Sequence, residues 1–375
     1  MNSQTQNSDV NKANQQQFKS RKIWITIFTN IFFPGLGYFY CGEIKRGFIV
    51  FSVVFSIDLI FGVLLNIFPT VYLLYFFVFY FMIYNVLIIF DSIQIAKEKK
   101  QYILQPFNRS KYYAVILVVM ILYSGKLNDL VYPESYTTPT RSMYNTILIG
   151  DVISGNKYQY GIKNPFTGRY ILMYNYPQLG DVISFRYRGS TEAPPTEKTF
   201  HMKRIIGLPG DSIVIKSREI YLNNEKFKKY WVFNFGGVNK ISSDYHDLSI
   251  FPRGFEWNTD NYGPVRVPKA GEMVSFDTST INMWKRIIRD EGNKLEIIRE
   301  RIFINDIEKY SYTFKNNYYF LVGDNWYNSF DSRYFGFVNE NDIDSKLTFI
   351  YFSWVEDSDD PNNAIRWDRI GKMIE

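Results

Sequence analysis

The sequence predicts a membrane-anchored chain in which an N-terminal α-helical transmembrane region leads into a mainly-β domain. Two features carry that prediction. Between Phe48 and Ala96 only Asp58 and Asp91 are charged. A stretch this long without Lys or Arg is hard to surround with protein, and it holds enough apolar chain for two crossings of about 20 residues each. Beyond Gly125 the texture changes. Charged residues return, and short β-branched and aromatic runs alternate with polar residues between Gly, Pro, Asn and Asp.

Residues 1–22 are polar and Gln/Asn-rich and end in Lys19, Arg21 and Lys22. They are expected to form a disordered basic tail, and they lack the layout of a cleavable leader. The membrane region is expected over 23–124. Its first apolar stretch, 23–40, is interrupted by Pro34-Gly35 and either spans or re-enters. Two full spans are expected near 48–66 and 70–93, parted at Asn66-Ile67-Phe68-Pro69. A last apolar run at 112–124 is short for a crossing at ~1.5 Å per residue, but Tyr112, Tyr113 and Tyr123 at its ends extend it. The preceding loop carries Lys97, Lys99, Lys100, Arg109 and Lys111 against Glu98, which marks the cytoplasmic side. The 112–124 span then delivers residues 125–375 to the outer face. A full crossing by 23–40 would put the basic tail outside, against the charge rule. A segment bent at Pro34-Gly35 keeps it inside, and that arrangement is preferred here.

In the outer domain, strands are expected at Val182–Tyr187, Ser212–Ile215, Ile220–Leu222, Arg299–Ile304 and Leu347–Trp354. Gly-Asp opens a run three times, at Gly150, Gly180 and Gly210. The flanking residues differ, so these read as three similar turns into strands and not as a solenoid repeat.

Composition narrows the chemistry. A net charge of +6 on 375 residues is mild and predicts no nucleic-acid partner. Cys41 is the only cysteine, which excludes an intrachain disulfide and a cysteine-based zinc site. No metal or other cofactor is expected. With two histidines, His201 and His246, a hydrolytic site has few imidazoles to draw on. His246 lies in a polar, loop-like stretch. His201 precedes Met202-Lys203-Arg204-Ile205-Ile206, where strand alternation puts His201, Lys203 and Ile205 on one face. A lysine facing the same way as an isoleucine can be buried and lose its proton readily.

Four segments taken in order are distinctive. They are Ser142-Met143 with Thr146 and Gly150-Asp151, then Gly180–Phe185, then Lys203–Asp211, and then Gly323-Asp324-Asn325-Trp326 through Val338. Together they resemble the bacterial type I signal peptidases, or leader peptidases, over roughly residues 130–375 with gaps. The 203–211 and 323–338 segments are highly specific, and the chain end at Ile365–Lys372 is similar too. The resemblance implies a catalytic outer domain with a β-rich insertion near 216–310, where the match is weakest. It implies a Ser/Lys dyad without histidine, in which Ser142 is the nucleophile and Lys203 the general base, acting through an acyl-enzyme. The oxyanion would be held by the Ser142 N–H and the Thr140 hydroxyl. Ser329 would hydrogen-bond Lys203, Asp331 and Arg333 would pair beneath the site, and Asp324 would support it. Met143 and Ile205 are expected to line the substrate pocket and help keep the lysine dry. Lowering an amine from about 10.4 to near neutrality means disfavouring the ammonium by roughly 3–4 kcal/mol.

The implied substrates are signal-peptide-bearing preproteins with small residues at the first and third positions before the cut. The implied surroundings are membrane lipid and the export machinery, with the chain as a multi-pass protein of the bacterial cytoplasmic membrane. Three departures stand out. Arg141 replaces a usual glycine, Asn145 a proline and Trp326 an arginine. Arg141, beside the nucleophile, could restrict the backbone or meet the substrate. The aromatic stretch Tyr230–Phe235 either touches lipid or belongs to a small core. The competing reading is a catalytically decayed, membrane-anchored β module that binds exported proteins or envelope partners.

Overall fold

The computed structural model describes residues 20–99, 102–103, 108, 111–118, 121, 131–164, 167–187, 199–228, 230–355 and 365–375. The chain divides into two compact units, residues 1–133 and 134–375.

In the first unit the described helices are α1 (Ile23–Phe32), α2 (Leu36–Tyr40), α3 (Ile44–Ile67) and α4 (Val71–Glu98), followed by helical residues 111–118. At ~1.5 Å per residue α3 and α4 are roughly 36 and 42 Å long, more than the ~30 Å hydrocarbon layer. Their most apolar windows are only 17% and 6% buried, so these side chains face outward as lipid-facing residues do. Asp58 and Asp91, the two charges of this stretch, are each met by a tyrosine. Tyr132 donates to Asp58 at 2.5 Å and Tyr38 donates to Asp91 at 2.7 Å. A carboxylate in an apolar setting needs such a donor.

The 23–40 stretch is broken where the sequence suggests. Gly35 takes a φ of +102°, a region that favours glycine. The Asn30 carboxamide stabilises the break by accepting from the Gly35 and Gly37 amides and donating to Ser92 on α4. At ten residues α1 is roughly 15 Å long and too short to cross alone. The tail at 1–19 and residues 119–120 and 122–130, which include the end of the expected last span, lie outside the described residues.

The second unit is built on a seven-stranded antiparallel sheet. Its strands are β1 (Glu134–Thr137), β2 (Asp151–Asn156), β5 (Val182–Tyr187), β6 (Thr199–Gly207), β16 (Tyr318–Val322), β17 (Val338–Asn339) and β18 (Ile343–Ser353), in spatial order β1-β2-β18-β5-β6-β16-β17. A small hairpin, β3 (Gly161–Lys163) and β4 (Tyr170–Met173), precedes β5. Between β6 and β16 run β7 (Ser212–Lys216), β8 (Glu219–Leu222), β9 (Glu225–Lys226), β10 (Tyr262–Arg266), β11 (Met273–Ser275), helix α5 (Lys285–Asp290), β12 (Leu295–Ile298), β13 (Arg301–Ile304), β14 (Ile307–Glu308) and β15 (Ser311–Thr313). Helix α6 (Ser332–Phe335) follows β16.

Each Gly-Asp pair makes the same turn. The aspartate N–H donates to the carbonyl three residues back, and its carboxylate accepts the N–H of that residue: Leu148, Gln178 and Leu208. The glycine in each turn has φ near +90°, so only glycine passes without strain. The expected strand at Arg299–Ile304 starts later, at Arg301, because Arg299 and Glu300 take positive φ in the β12–β13 turn.

The insertion is not a separate small core. Its Ile213, Trp231, Phe233, Tyr262, Trp284 and Ile302 pack in one cluster with Tyr318, Phe320, Trp326 and Phe337. In the aromatic stretch, Trp231 and Phe233 are buried while Tyr230 and Val232 are exposed, the period-two pattern of an extended segment.

Candidate active site

Ser142 lies in the turn after β1. Met143 and Ile147, at 2% and 0% exposure, plug that turn into the core. Tyr144 N–H donates to Arg141 O and Ile147 N–H to Met143 O. From the other side Asn325 clamps the turn, its N–H on Ser142 O at 3.0 Å and its Nδ2 on Arg141 O at 2.9 Å. Lys203 projects from β6, whose partner β5 sets Ile183 opposite it. These two elements bring Lys203 Nζ within 2.8 Å of Ser142 Oγ, with Met202 O accepting from Nζ at 3.0 Å.

Lys203 is 3% exposed. Burial lowers its pKa to about 8 and Arg333 pushes the same way, against the smaller raising pull of Asp331 and Asp324. The direction follows from the cost of keeping an ammonium out of water. Thr140 Oγ1 is 3.3 Å from Ser142 Oγ, and the Ser142 N–H has no acceptor among the described residues. Among the described residues the N–H is thus unengaged, and the Thr140 hydroxyl lies beside the serine oxygen.

Asp331 and Arg333 form a fully buried pair, Nε on Oδ1 at 2.9 Å and Nη2 on Oδ2 at 2.8 Å, and Asp331 also accepts the Gly323 N–H. Asp324 is held by a residue that sequence reasoning missed. Arg204 grips it in bidentate fashion, at 2.8 and 2.7 Å, and Thr146 donates to it as well. The signal was present in alternation, which turns Arg204 to the face opposite Lys203. Asp260 was also missed. It accepts from Trp326 Nε1 at 2.8 Å and from Arg218 at 2.9 Å, so the tryptophan in place of the usual arginine is matched by a carboxylate from the insertion.

Two expectations fail. The Ser329 hydroxyl is buried without a hydrogen-bond partner, so it does not bond Lys203. It lies instead against Gly323, which lacks a Cβ to exclude it. Met143 and Ile205 do not line the cleft around Ser142. The cleft around the serine, about 570 Å³, is walled by Thr137–Thr140, Phe200, His201, Met202, Lys203 and Tyr327–Phe330. It opens over the 199–203 end of β6. Ile205 lies further along, paired with Leu321 of β16 in a closed core, and Met143 packs with Ile147, Ile153 and Met202.

His201 stands in the cleft wall, packed on Tyr187 and Phe185. Burial and the Lys203 charge lower its pKa to about 4, and it makes no hydrogen bond to Ser142. His246 is exposed. Of the departures, Arg141 is outside the positive-φ region while Asn145 has a φ of +94°. A proline could not follow that path. No cluster of three or more His, Cys, Asp or Glu suited to a metal occurs among the described residues.

Fold and site thus define an anchored β domain that sets a serine hydroxyl against a buried lysine amine. A family model described as signal peptidase, peptidase S26, matches residues 109–249 and 307–354, spans that contain Ser142, Lys203 and Gly323–Val338. A signal peptidase I of Buchnera aphidicola subsp. Schizaphis graminum is 30% identical over 246 residues, covering 64% of this chain and 74% of its own. One from Pseudomonas aeruginosa is 26% identical over 292 residues, covering 75% and 83%. A crystal structure of a signal peptidase I from Enterococcus faecalis V583 covers 46% of this chain at 20% identity with a TM-score of 0.24, too slight to bear on the fold. The chain belongs to the signal peptidase family, peptidase S26, and is a serine endopeptidase of that family.

Proposed function

We propose that this chain removes N-terminal signal peptides from exported preproteins with Ser142 as nucleophile and Lys203 as general base. The observation that carries the reading is the 2.8 Å approach of Nζ to Oγ at an amine whose pKa is lowered to about 8. A neutral amine has two N–H groups and one lone pair. One N–H goes to Met202 O, and the lone pair accepts the Ser142 hydroxyl proton as Oγ attacks the scissile carbonyl. The tetrahedral oxyanion is met by the Ser142 N–H and Thr140 Oγ1. The Lys203 ammonium then protonates the leaving amine, which departs as the new amino terminus. Water, deprotonated in turn by Lys203, hydrolyses the acyl-enzyme and frees the signal peptide.

The chain works in a membrane because its substrate is itself held there by an apolar segment. In this reading it is a multi-pass protein of the bacterial cytoplasmic membrane, with residues 125–375 on the outer face. It contacts lipid and receives preproteins from the export machinery, and no cofactor is needed. Ser142→Ala and Lys203→Ala are each expected to lower the rate of precursor cleavage by at least about 10⁴-fold. Cleavage in detergent, with amino-terminal sequencing of the product, measures this. Unchanged processing by both variants would overturn the reading and leave a binding module.

A further inference from the structure

A second cleft of about 410 Å³ adjoins the first, and Tyr327 and Asn328 stand in the walls of both. Its walls are largely aromatic and apolar, with Tyr144, Phe235 and Val238. It is built from the same piece of structure as the nucleophile turn. Asn325 holds the backbone of Arg141 and Ser142, Asn234 N–H donates to Asp324 O, and Trp326 N–H donates to Asn234 O. The cleft therefore keeps a set position relative to Ser142 Oγ.

Its charge is set by one residue. Arg204, Arg218 and Arg333 each bind a carboxylate, Asp324, Asp260 and Asp331 respectively. Arg141, in the wall of this cleft, is exposed and has no ion pair among the described residues, and no Asp or Glu lines the cleft.

A peptide with its scissile carbonyl at Ser142 Oγ runs away from it in two directions. In the reading proposed above, the cleft that holds Lys203 takes one, the signal-peptide side with its small residues. We propose that the second cleft binds the first residues after the scissile bond, those that become the new amino terminus, and that Arg141 selects an acidic side chain there. The proposal rests on the reading of Ser142 as the nucleophile of a signal-peptide-cleaving enzyme. The aromatic walls cover the aliphatic part of such a side chain, and the guanidinium at the rim offers a planar fork for its carboxylate.

The test uses the full chain in detergent and a set of preproteins identical except at the first two positions after the cut, which carry Glu, Gln or Lys. Wild type is expected to cleave the Glu form with a kcat/KM about fivefold above the Lys form. The ratio falls to about one in Arg141→Ala, inverts in Arg141→Glu and is retained in Arg141→Lys. Strong salt, which screens exposed charges, flattens the wild-type ratio. A ratio that stays the same in all four enzymes overturns the role of Arg141 and leaves the catalytic reading intact. Absence of cleavage of every substrate by wild type overturns the catalytic reading itself, and this proposal with it.

Discussion

In the proposed mechanism the burial that suits Lys203 to act as a base also costs the fold stability. Its amine has an ordinary pKa of 10.5, lowered to about 8 in the folded chain. Below pH 8 both folded and unfolded chains carry the proton, and the folded state bears the full cost of burying it, about 3 kcal/mol for a shift of this size. Between 8 and 10.5 the unfolded chain binds more protons, so stability rises with pH. Above 10.5 the cost is gone. Lys203→Met is therefore expected to be inactive yet more stable than wild type at pH 7, by up to about 3 kcal/mol, with the gap closing as pH approaches 10.5. Unfolding followed by tryptophan fluorescence at several pH values measures it, and parallel stability curves for the two proteins would contradict it. If Lys203 is the base, as proposed, the same shift predicts a cleavage rate that climbs through pH 8, because only a neutral amine can accept the serine proton.

The turn at Ser142, strand β6 and the segment after β16 meet at Gly323. A methyl group there would come within 2.5 Å of Ser142 O and would collide with the Ser329 hydroxyl. Ser142 O belongs to the backbone, so the nucleophile turn itself would have to move. Gly323→Ala is expected to lower kcat by about 10²-fold, since a displacement near 1 Å suffices for that. A crystal structure or the pre-steady-state acylation rate checks it. Full activity would show that the turn yields without cost. This scale also explains what the sequence left unread. Alternation along β6 places Lys203 and Ile205 on one face, but it does not say how far along the strand the cleft extends. That depends on β16, which covers residue 205 and leaves 203 open. Asp260 and Trp326 are 66 residues apart, and no local pattern connects them.

At the scale of the whole molecule, the proposed function assigns anchoring to the encounter between enzyme and substrate and not to the chemistry. A chain lacking residues 1–95 is expected to cleave a short soluble peptide at nearly the wild-type kcat/KM. Its cleavage of a membrane-held precursor in liposomes should fall by about 10²-fold, the order of the advantage that tethering gives. Equal losses on both substrates would instead mean that the helices support the fold of the catalytic unit.

Local order was written in the chain. The absence of positive charge between Phe48 and Ala96 specifies two long lipid-facing helices, because an apolar surface of that length has no other solvent. The three Gly-Asp turns follow from one glycine that reaches positive φ and one carboxylate that closes back on its own backbone. Ser142 and Lys203 are singled out through the resemblance that four ordered segments carry together, since neither a Ser-Met pair nor a lysine beside an isoleucine is distinctive alone. Their 2.8 Å contact, the loss of the expected Ser329 bond, the withdrawal of Met143 and Ile205 into the core and the lack of an ion pair to Arg141 among the described residues came from the tertiary structure. Each depends on which distant strands pack together, and burial, which sets both pKa and pocket shape, is a property of that packing.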